Sequence, residues 1–84
     1  MVVYNVEKVS EINPEALLAD GFNDAILGMC HQFGQEPVVA YDYEKCLKIL
    51  ESRDEMTPDE AREYMEYNVV GAYMGLYTPV FIIK

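Results

Sequence analysis

The four residues Thr57-Pro58-Asp59-Glu60 constrain the fold of this chain more than any other stretch. A threonine followed three residues later by a glutamate forms a capping box, in which each side chain accepts a hydrogen bond from the other residue's amide. Proline suits the first helical position, where no N–H donor is needed. The motif predicts a helix that starts at residue 58. Gly75 is of the residue type that commonly ends a helix, so we expect a helix over 58–74.

Apolar side chains recur along this predicted helix at helical spacing. Ala61, Met65, Val69 and Ala72 form one stripe, which we expect to face the core. Asn68 lies beside that stripe, where a buried amide would need hydrogen-bond partners. We expect Asn68 to fasten the helix to a loop or to the C-terminal strand, and we favour this over a role in binding a ligand.

A second helix is predicted immediately before the capping box. Tyr43, Cys46, Leu47 and Leu50 fall at positions i, i+3, i+4 and i+7, which places them on one apolar face. Asp42 precedes the stripe and suits the N-cap position. The pattern therefore predicts a helix over 43–53.

The segment before Asp42 has two interpretations. One is an amphipathic helix over 23–33, and the other is a β-hairpin with strands over 25–32 and 37–42. We favour the hairpin, because Gly28 weakens a helix and Gly34 favours a turn. The second arm is also rich in residues that favour strands.

Three further segments give weaker signals. Residues 2–7 alternate between apolar and polar side chains, so residues 1–12 are interpreted as a strand or as an arm. Asn13-Pro14-Glu15 is typical of a helix start, and Gly21 would end that helix, which predicts a short helix over 14–20. The apolar residues over 78–83 predict a terminal strand.

These elements together predict an α+β fold in a single domain over residues 1–84. We expect a small antiparallel sheet, made of the hairpin over 25–42 and the C-terminal strand over 78–83. Helices over 43–53 and 58–74 are expected to cover one face of that sheet.

The formal net charge of -9 limits the classes of partner. Nucleic acids and anionic membranes are polyanions, so direct binding to either is not expected. A protein partner with a basic surface is compatible with the charge. The apolar runs are too short for a membrane-spanning helix, and the N-terminus lacks the basic and apolar regions of a signal peptide. A cytoplasmic protein is expected.

Residues that could carry chemistry are few. His31 is the only histidine, and Cys30 beside it would point to the opposite face of a strand. The spacings typical of zinc sites are absent from the sequence, so we expect no metal and no cofactor. Cys30 and Cys46 are both interpreted as reduced, buried apolar residues. We therefore expect a protein that is not an enzyme.

Acidic residues are concentrated around the capping box. Seven lie between Glu51 and Glu66, against two arginines in the same stretch. Such a run is either a solvated surface or a docking surface for a basic partner. Seven tyrosines are too many for so small a core, and exposed tyrosine is typical of protein interfaces. The predicted partner-binding residues are Glu51, Asp54, Glu55, Asp59, Glu63, Glu66 and Tyr67.

Two other functions stay open as alternatives. One is a structural or assembly protein that forms a homodimer or larger homo-oligomer through sheet edges and tyrosines. The other is a binder of a small ligand in a pocket near Asn68, Cys30 and His31.

Three runs of the chain resemble small acidic proteins of tailed bacteriophages and prophages. They are GFNDAILG, PVVAYDYEKCLKIL and MTPDEAREYMEYNVVGAYMGLYTPVF, and the resemblance covers about residues 20–82. Residues 1–12 fall outside it. The resemblance implies a protein of the bacterial host cytoplasm during infection, and it carries over no catalytic residues. Some small acidic phage proteins inhibit host defence systems, including anti-CRISPR proteins, and by analogy of size and charge we expect a similar role.

Overall fold

The computed structural model describes residues 5–72 and 75–84 of the chain. Within these ranges the fold is α+β with a small three-stranded sheet, which confirms the predicted class. A single 3₁₀ turn over Asn23–Ala25 precedes the first strand. The elements in chain order are α1 (Val6–Ile12), β1 (Ile26–Cys30), β2 (Val38–Asp42), α2 (Tyr43–Arg53), α3 (Pro58–Tyr64), a π-helix (Met65–Val70) and β3 (Val80–Ile82).

The hairpin is confirmed, and the alternative helix over 23–33 is wrong. β1 pairs with β2 in antiparallel register, with Met29 opposite Val39 and Cys30 opposite Val38. The register shifts between Ile26 and Gly28, which is typical of a β-bulge. The loop over 31–37 joins the two strands.

The prediction of a wholly antiparallel sheet is wrong for the third strand. β3 lies beside β2 and runs parallel to it, with Val80 opposite Ala40 and Ile82 opposite Asp42. The chain leaves the end of β2 and passes through α2 and α3 before it reaches β3. A long helical connection of this kind joins parallel strands, whereas a short turn joins antiparallel ones. The sheet is therefore mixed, in the order β1-β2-β3.

Helix α2 has the predicted bounds and the predicted buried face. The side chain of Asp42 caps it by accepting a hydrogen bond from the Lys45 amide at 3.3 Å. All four residues of its apolar stripe are buried, and Cys46 and Leu50 are completely inaccessible. The helix contributes more residues to the core than any other described element.

Helix α3 begins at the predicted capping box. The Glu60 amide donates to Thr57 Oγ1 at 3.2 Å, and the Thr57 amide donates to Glu60 Oε1 at 2.9 Å. The predicted extent over 58–74 is wrong, however. The α-helix continues only to Tyr64 and is followed by a π-helix that is capped by Gly71. Residues 73–74 lie outside the described ranges.

The apolar stripe of this helix is largely where the sequence predicts it. Ala61 and Met65 are buried in the core, and Val69 packs against the core while remaining partly exposed. Ala72 is also partly exposed and lies beyond the helical segment.

A strand or arm is predicted over residues 1–12, but the described part of this range, residues 5–12, does not contain one. Residues Val6–Ile12 form helix α1, because the side chain of Asn5 caps it by accepting from the Lys8 amide at 2.9 Å. Val9 is buried in the core and holds this helix in place. The part of the prediction that falls on residues 1–4 lies outside the described residues.

The predicted helix over 14–20 is wrong, and long-range hydrogen bonds explain why. Buried Asn13 donates from Nδ2 to the carbonyl of Pro37 at 2.7 Å, which ties the segment to the hairpin. The Ala19 amide donates to the Tyr41 hydroxyl at 2.8 Å. The Leu17 amide likewise donates to the Tyr77 carbonyl at 3.2 Å, so distant partners take the backbone amides of this segment that a local helix would otherwise pair.

The core lies between the sheet and the helices. Tyr41 of β2 stacks on Phe81 of β3 with ring centroids 5.4 Å apart. Among the described helices, none is long and apolar enough to cross a membrane. The buried cluster consists of Val9, Phe22, Ala25, Val39, Tyr41, Tyr43, Cys46, Leu47, Leu50, Ala61 and Met65.

Candidate functional site

Four of the seven predicted partner-binding residues lie together on the outer side of α3 and the π-helix. Asp59, Glu63, Glu66 and Tyr67 line one open depression of about 510 Å³, together with Arg62. Asp59 and Glu63 lie on α3, and Glu66 and Tyr67 lie on the π-helix that continues it, so side chains three and four residues apart are neighbours on the helical surface. We call these four residues the acidic face.

Tyr67 lies at the centre of this region. Its side chain is 78% exposed, and it also lines a second depression of about 510 Å³ with Glu63, Tyr64 and Asn68. Carboxylates therefore line both depressions beside Tyr67, and the second one also offers the apolar side chain of Met56 and the ring of Tyr64. An exposed aromatic ring in this setting can contact both a cation and an apolar side chain.

Glu66 is held in place by a side chain from the other helix. The Tyr43 hydroxyl donates a hydrogen bond to Glu66 Oε2 at 2.8 Å. Burial, and then this hydrogen bond, raise the pKa of Tyr43 to about 12, so the phenol remains a donor at neutral pH. Sequence reasoning treated Tyr43 only as a core residue. A tyrosine on an apolar stripe was the available signal, because a buried phenol usually finds a partner.

Arg62 makes the acidic face less negative than its carboxylates alone suggest. Its Nη1 lies 3.5 Å from Asp59 Oδ1, and both side chains are well exposed. Three carboxylates and one guanidinium leave a net charge of -2 around the depression. The pair is exposed enough that an incoming cation can compete with Arg62 for Asp59.

The other three predicted residues do not line either depression. Glu51 is on α2, and Asp54 and Glu55 are in the loop that follows. Asp54 is already paired, since Arg53 Nη2 lies 3.0 Å from its Oδ2. The hydrogen bond from Arg53 lowers the pKa of Asp54, which remains ionised.

Arg53 also has structural contacts of its own. Its Nη1 donates to the Gly21 carbonyl at 2.8 Å, and its guanidinium lies over the Phe22 ring at 5.6 Å from the centroid. This arginine thus fastens the end of α2 to the segment before β1. Asp54 pairs with this same guanidinium and helps to orient it.

The two cysteines considered for chemistry have different surroundings. Cys46 is fully buried, and burial, followed by the charge of Asp42, raises the pKa of its thiol to about 12. The prediction that Cys46 is an apolar core residue is confirmed. The same prediction is wrong for Cys30, which is exposed and lines a separate depression with Leu76 and Val80. In the described ranges, no group of three His, Cys, Asp or Glu side chains is arranged to hold a metal.

The prediction for Asn68 is wrong. Its side chain is exposed at the rim of the depression beside Tyr67, so water can solvate the amide. The wide turn of the π-helix places Asn68 away from the core stripe. The three residues suggested for a small-ligand pocket are divided, because Asn68 lies on this helix while Cys30 and His31 lie at the end of β1.

Comparison of the chain with protein families, curated proteins and solved structures gave no match. The resemblance to phage proteins therefore stays a prediction from the sequence.

Proposed function

We propose that this protein acts by binding another protein, without catalysis, and that the acidic face is the binding surface. The observation that carries the proposal is the exposure of Tyr67 among Asp59, Glu63 and Glu66. Tyr67 is exposed to solvent beside one carboxylate that is held by a hydrogen bond, Glu66, and two exposed ones, Asp59 and Glu63. Tyrosine is among the residues that contribute most to protein interfaces.

The chemistry of the acidic face favours a partner with a basic surface. Glu66 is oriented by Tyr43, while Glu63 and Asp59 are exposed and can adjust to a bound cation. The formal charge of -9 would also attract a basic protein from a distance and accelerate association. Arginine side chains suit such a surface best, since they pair with carboxylates and stack on aromatic rings.

A more specific version of the proposal draws on the resemblance to phage proteins. In that version the partner is a host defence protein whose nucleic-acid-binding surface the acidic face occupies, as an anti-CRISPR protein would. The support is the acidity of the chain and the resemblance over residues 20–82. The setting would then be the bacterial cytoplasm.

An affinity experiment with matched charge variants tests the proposal. The bait is the full chain, incubated with lysate of the bacterial host and analysed by mass spectrometry. One variant combines Asp59→Lys with Glu63→Lys. The control combines Glu11→Lys with Glu44→Lys, which changes the net charge by the same amount on exposed residues elsewhere.

We expect the wild type and the control to retain the same basic protein, and the acidic-face variant to lose it. Binding should also weaken between about 50 and 500 mM salt, because exposed charges are screened. Equal recovery by all three baits, or an affinity that salt does not change, would contradict the proposal.

Exposed apolar residues near β3 favour a second candidate, a homo-oligomer. Leu76 and Ile83 are 74% and 75% exposed, and β3 is an edge strand of the described sheet. An edge strand offers unpaired backbone groups to a second copy. Light scattering decides this point, since a strict monomer throughout the micromolar range would rule the candidate out.

A further inference from the structure

The sheet has a second face, which points away from the core. Tyr41 and Phe81 form a cross-strand pair, and both pack into the core. Successive residues of a strand point to opposite faces, so Ala40 and its partner Val80 point the other way. None of the residues on that side belongs to the core cluster. We call them the outer face, and they are Gly28, Cys30, Val38, Ala40, Val80 and Ile82.

The middle of the outer face is apolar. Cys30, Val38 and Val80 line a shallow depression of about 140 Å³ there, together with Leu76 and polar residues of the hairpin loop. Leu76 is 74% exposed, and Ile82 at the end of the sheet is 40% exposed. An exposed apolar patch that is bordered by polar residues is typical of an interaction surface.

The two ends of the outer face carry opposite charges. Glu36 is exposed, lies two residues before β2 and lines the same depression. Lys84 lies two residues after β3, and its Nζ is 3.1 Å from Asp42 Oδ2. Because β2 and β3 run parallel, Glu36 and Lys84 lie at opposite ends of the face. The side chain of Lys84 is 60% exposed and that of Asp42 only 15%, so the ammonium group is the one presented to solvent at its end.

A second copy of this chain matches this distribution of charge. Two identical sheets have the same twist, which allows them to pack face to face with nearly aligned strands. A two-fold axis that lies between the sheets, perpendicular to the strands, places the hairpin end of one copy over the other end of its partner. Glu36 of each copy then lies opposite Lys84 of the other. The net charge of -9 repels a second copy from the acidic surfaces, whereas these two ends attract each other.

We propose that the outer face binds a second copy of this chain in this two-fold arrangement, with Glu36 of each copy paired to Lys84 of the other. The proposal rests on the homo-oligomer named above as the second candidate, and not on the acidic face. The outer face measures roughly 15 Å by 17 Å, from the usual strand spacing and rise. A stable interface buries about 800 Å² on each partner, so this dimer is weak and reversible.

The native protein carries its own reporter of the interface. Cys30 lies on the outer face and is exposed, whereas Cys46 is completely inaccessible and should not react. The alkylation rate of Cys30 is measured by mass spectrometry at one fixed excess of iodoacetamide, with protein at about 10 µM and at about 1 mM. We expect Cys30 to react several-fold more slowly at the higher concentration. A rate that does not depend on protein concentration would overturn the proposal.

Charge reversal tests the pairing across the two-fold axis by sedimentation equilibrium. Glu36→Lys should weaken the dimer several-fold, although it makes the chain less negative. The control is Glu55→Lys, which changes the net charge equally at an exposed position in the loop between α2 and α3, on the other side of the core. It should associate at least as strongly as the wild type. Equal association by Glu36→Lys and Glu55→Lys would overturn the proposal.

A double variant tests the same pair by rescue. Glu36→Lys combined with Lys84→Glu restores the net charge of the wild type and exchanges the two ends, so each new lysine again faces a carboxylate. We expect it to associate several-fold more strongly than Glu36→Lys alone. A double variant that associates no better would overturn the proposal, and the Cys30 rate in the native protein decides the question if either variant fails to fold.

The two measurements separate this proposal from the others. If the protein dimerises while the Cys30 rate stays constant, the copies meet at another surface such as the edge of β3, and only the proposed interface fails. A monomer at every concentration would overturn the interface and the homo-oligomer together. Neither result bears on the acidic face, because no basic partner is present in either measurement.

Discussion

Helices α2 and α3 begin in the same way and then differ. Both start with a side-chain N-cap, from Asp42 in α2 and from Thr57 in α3. α2 continues as a regular helix to Arg53 and buries four of its residues. α3 remains regular only to Tyr64, and together with the π-helix it buries two residues, Ala61 and Met65.

The difference indicates that the two helices have different tasks. A helix that buries an apolar residue at nearly every turn contributes mainly to stability, because most helical stability in proteins comes from packing. A helix with a narrow buried stripe leaves most of its surface free to carry charged and aromatic groups. α2 therefore holds the fold together, and α3 with the π-helix displays the acidic face.

The largest expected effect is on α2. Leu50→Ala should lower the free energy of unfolding by about 2–5 kcal/mol, since Leu50 is completely buried and its loss leaves a cavity. Urea denaturation measures this loss. Lys48→Ala, on the exposed side of the same helix, serves as the control and should change stability by less than about 0.5 kcal/mol.

If Lys48→Ala lowered the free energy of unfolding by a similar amount, the expectation that only the buried face of α2 contributes strongly to stability would be contradicted. The folded molecules of Leu50→Ala should bind a peptide of nine arginines with the same affinity as the wild type. If the affinity fell as well, the packing of α2 would also influence the acidic face, in contrast to the separation described above.

The next largest effect should be confined to α3. Thr57→Ala removes one half of the capping box and should cost about 1 kcal/mol, whereas Thr57→Ser keeps the hydroxyl and should cost less. Hydrogen exchange should accelerate at the amides of Glu60 and Ala61 and remain unchanged in α2. Equal acceleration in both helices would show that they open as one unit.

This contrast also explains which elements could be predicted from the sequence. α2 was predicted with its bounds because its cap and its apolar stripe are local features. The helix over 14–20 was wrongly predicted because the amides of Leu17 and Ala19 donate to distant partners, Tyr77 and Tyr41, that local patterns do not reveal. The parallel direction of β3 likewise depends on how the whole connection returns to the sheet.

The candidate site divides in the same way. Asp59, Glu63, Glu66 and Tyr67 were predicted together, and they are together because one helical surface carries them. Asp54 lies outside both depressions and is paired with Arg53. The π-helix was missed, because Ala61, Met65 and Val69 have the i, i+4, i+8 spacing of an ordinary α-helical stripe.

The third prediction concerns the hydrogen bond from Tyr43 of α2 to Glu66 of the π-helix. Tyr43→Phe removes the hydroxyl that donates to Glu66 and should cost about 0.5–1.5 kcal/mol. Tyr64→Phe, on α3, serves as a matched control and should cost less. The acidic face should also bind the arginine peptide more weakly in Tyr43→Phe, because Glu66 is no longer oriented.

The effect of Tyr43→Phe should depend on alkaline pH. The pKa of Tyr43 is raised to about 12 in the folded protein, above its usual value of 10.0. The stability that this shift contributes is present below pH 10 and is lost as the pH rises toward 12. The difference between the wild type and Tyr43→Phe should therefore narrow over that interval. A constant difference would mean that the phenol ionises as freely in the fold as in the unfolded chain.

The smallest effect is expected at Asp42, which caps α2 and also pairs with Lys84, just beyond the end of β3. Lys84 Nζ lies 3.1 Å from Asp42 Oδ2, while Asp42 Oδ1 caps the helix. Lys84→Ala should cost about 0.2–1 kcal/mol, and the loss should shrink in high salt. Burial opposes ionisation of Asp42, but the bond from Lys84 and that from the Lys45 amide outweigh it and lower its pKa.

A lowered pKa in the folded state gives stability that is present at neutral pH and is lost as acid protonates Asp42. Lys84→Ala should make that acid loss shallower. Asp42→Asn keeps the capping oxygen and removes the charge, so the double variant with Lys84→Ala should be no less stable than Asp42→Asn alone. If the two losses add, Lys84 stabilises β3 by some other contact. α2 would then depend on its own cap alone, as α3 depends on Thr57.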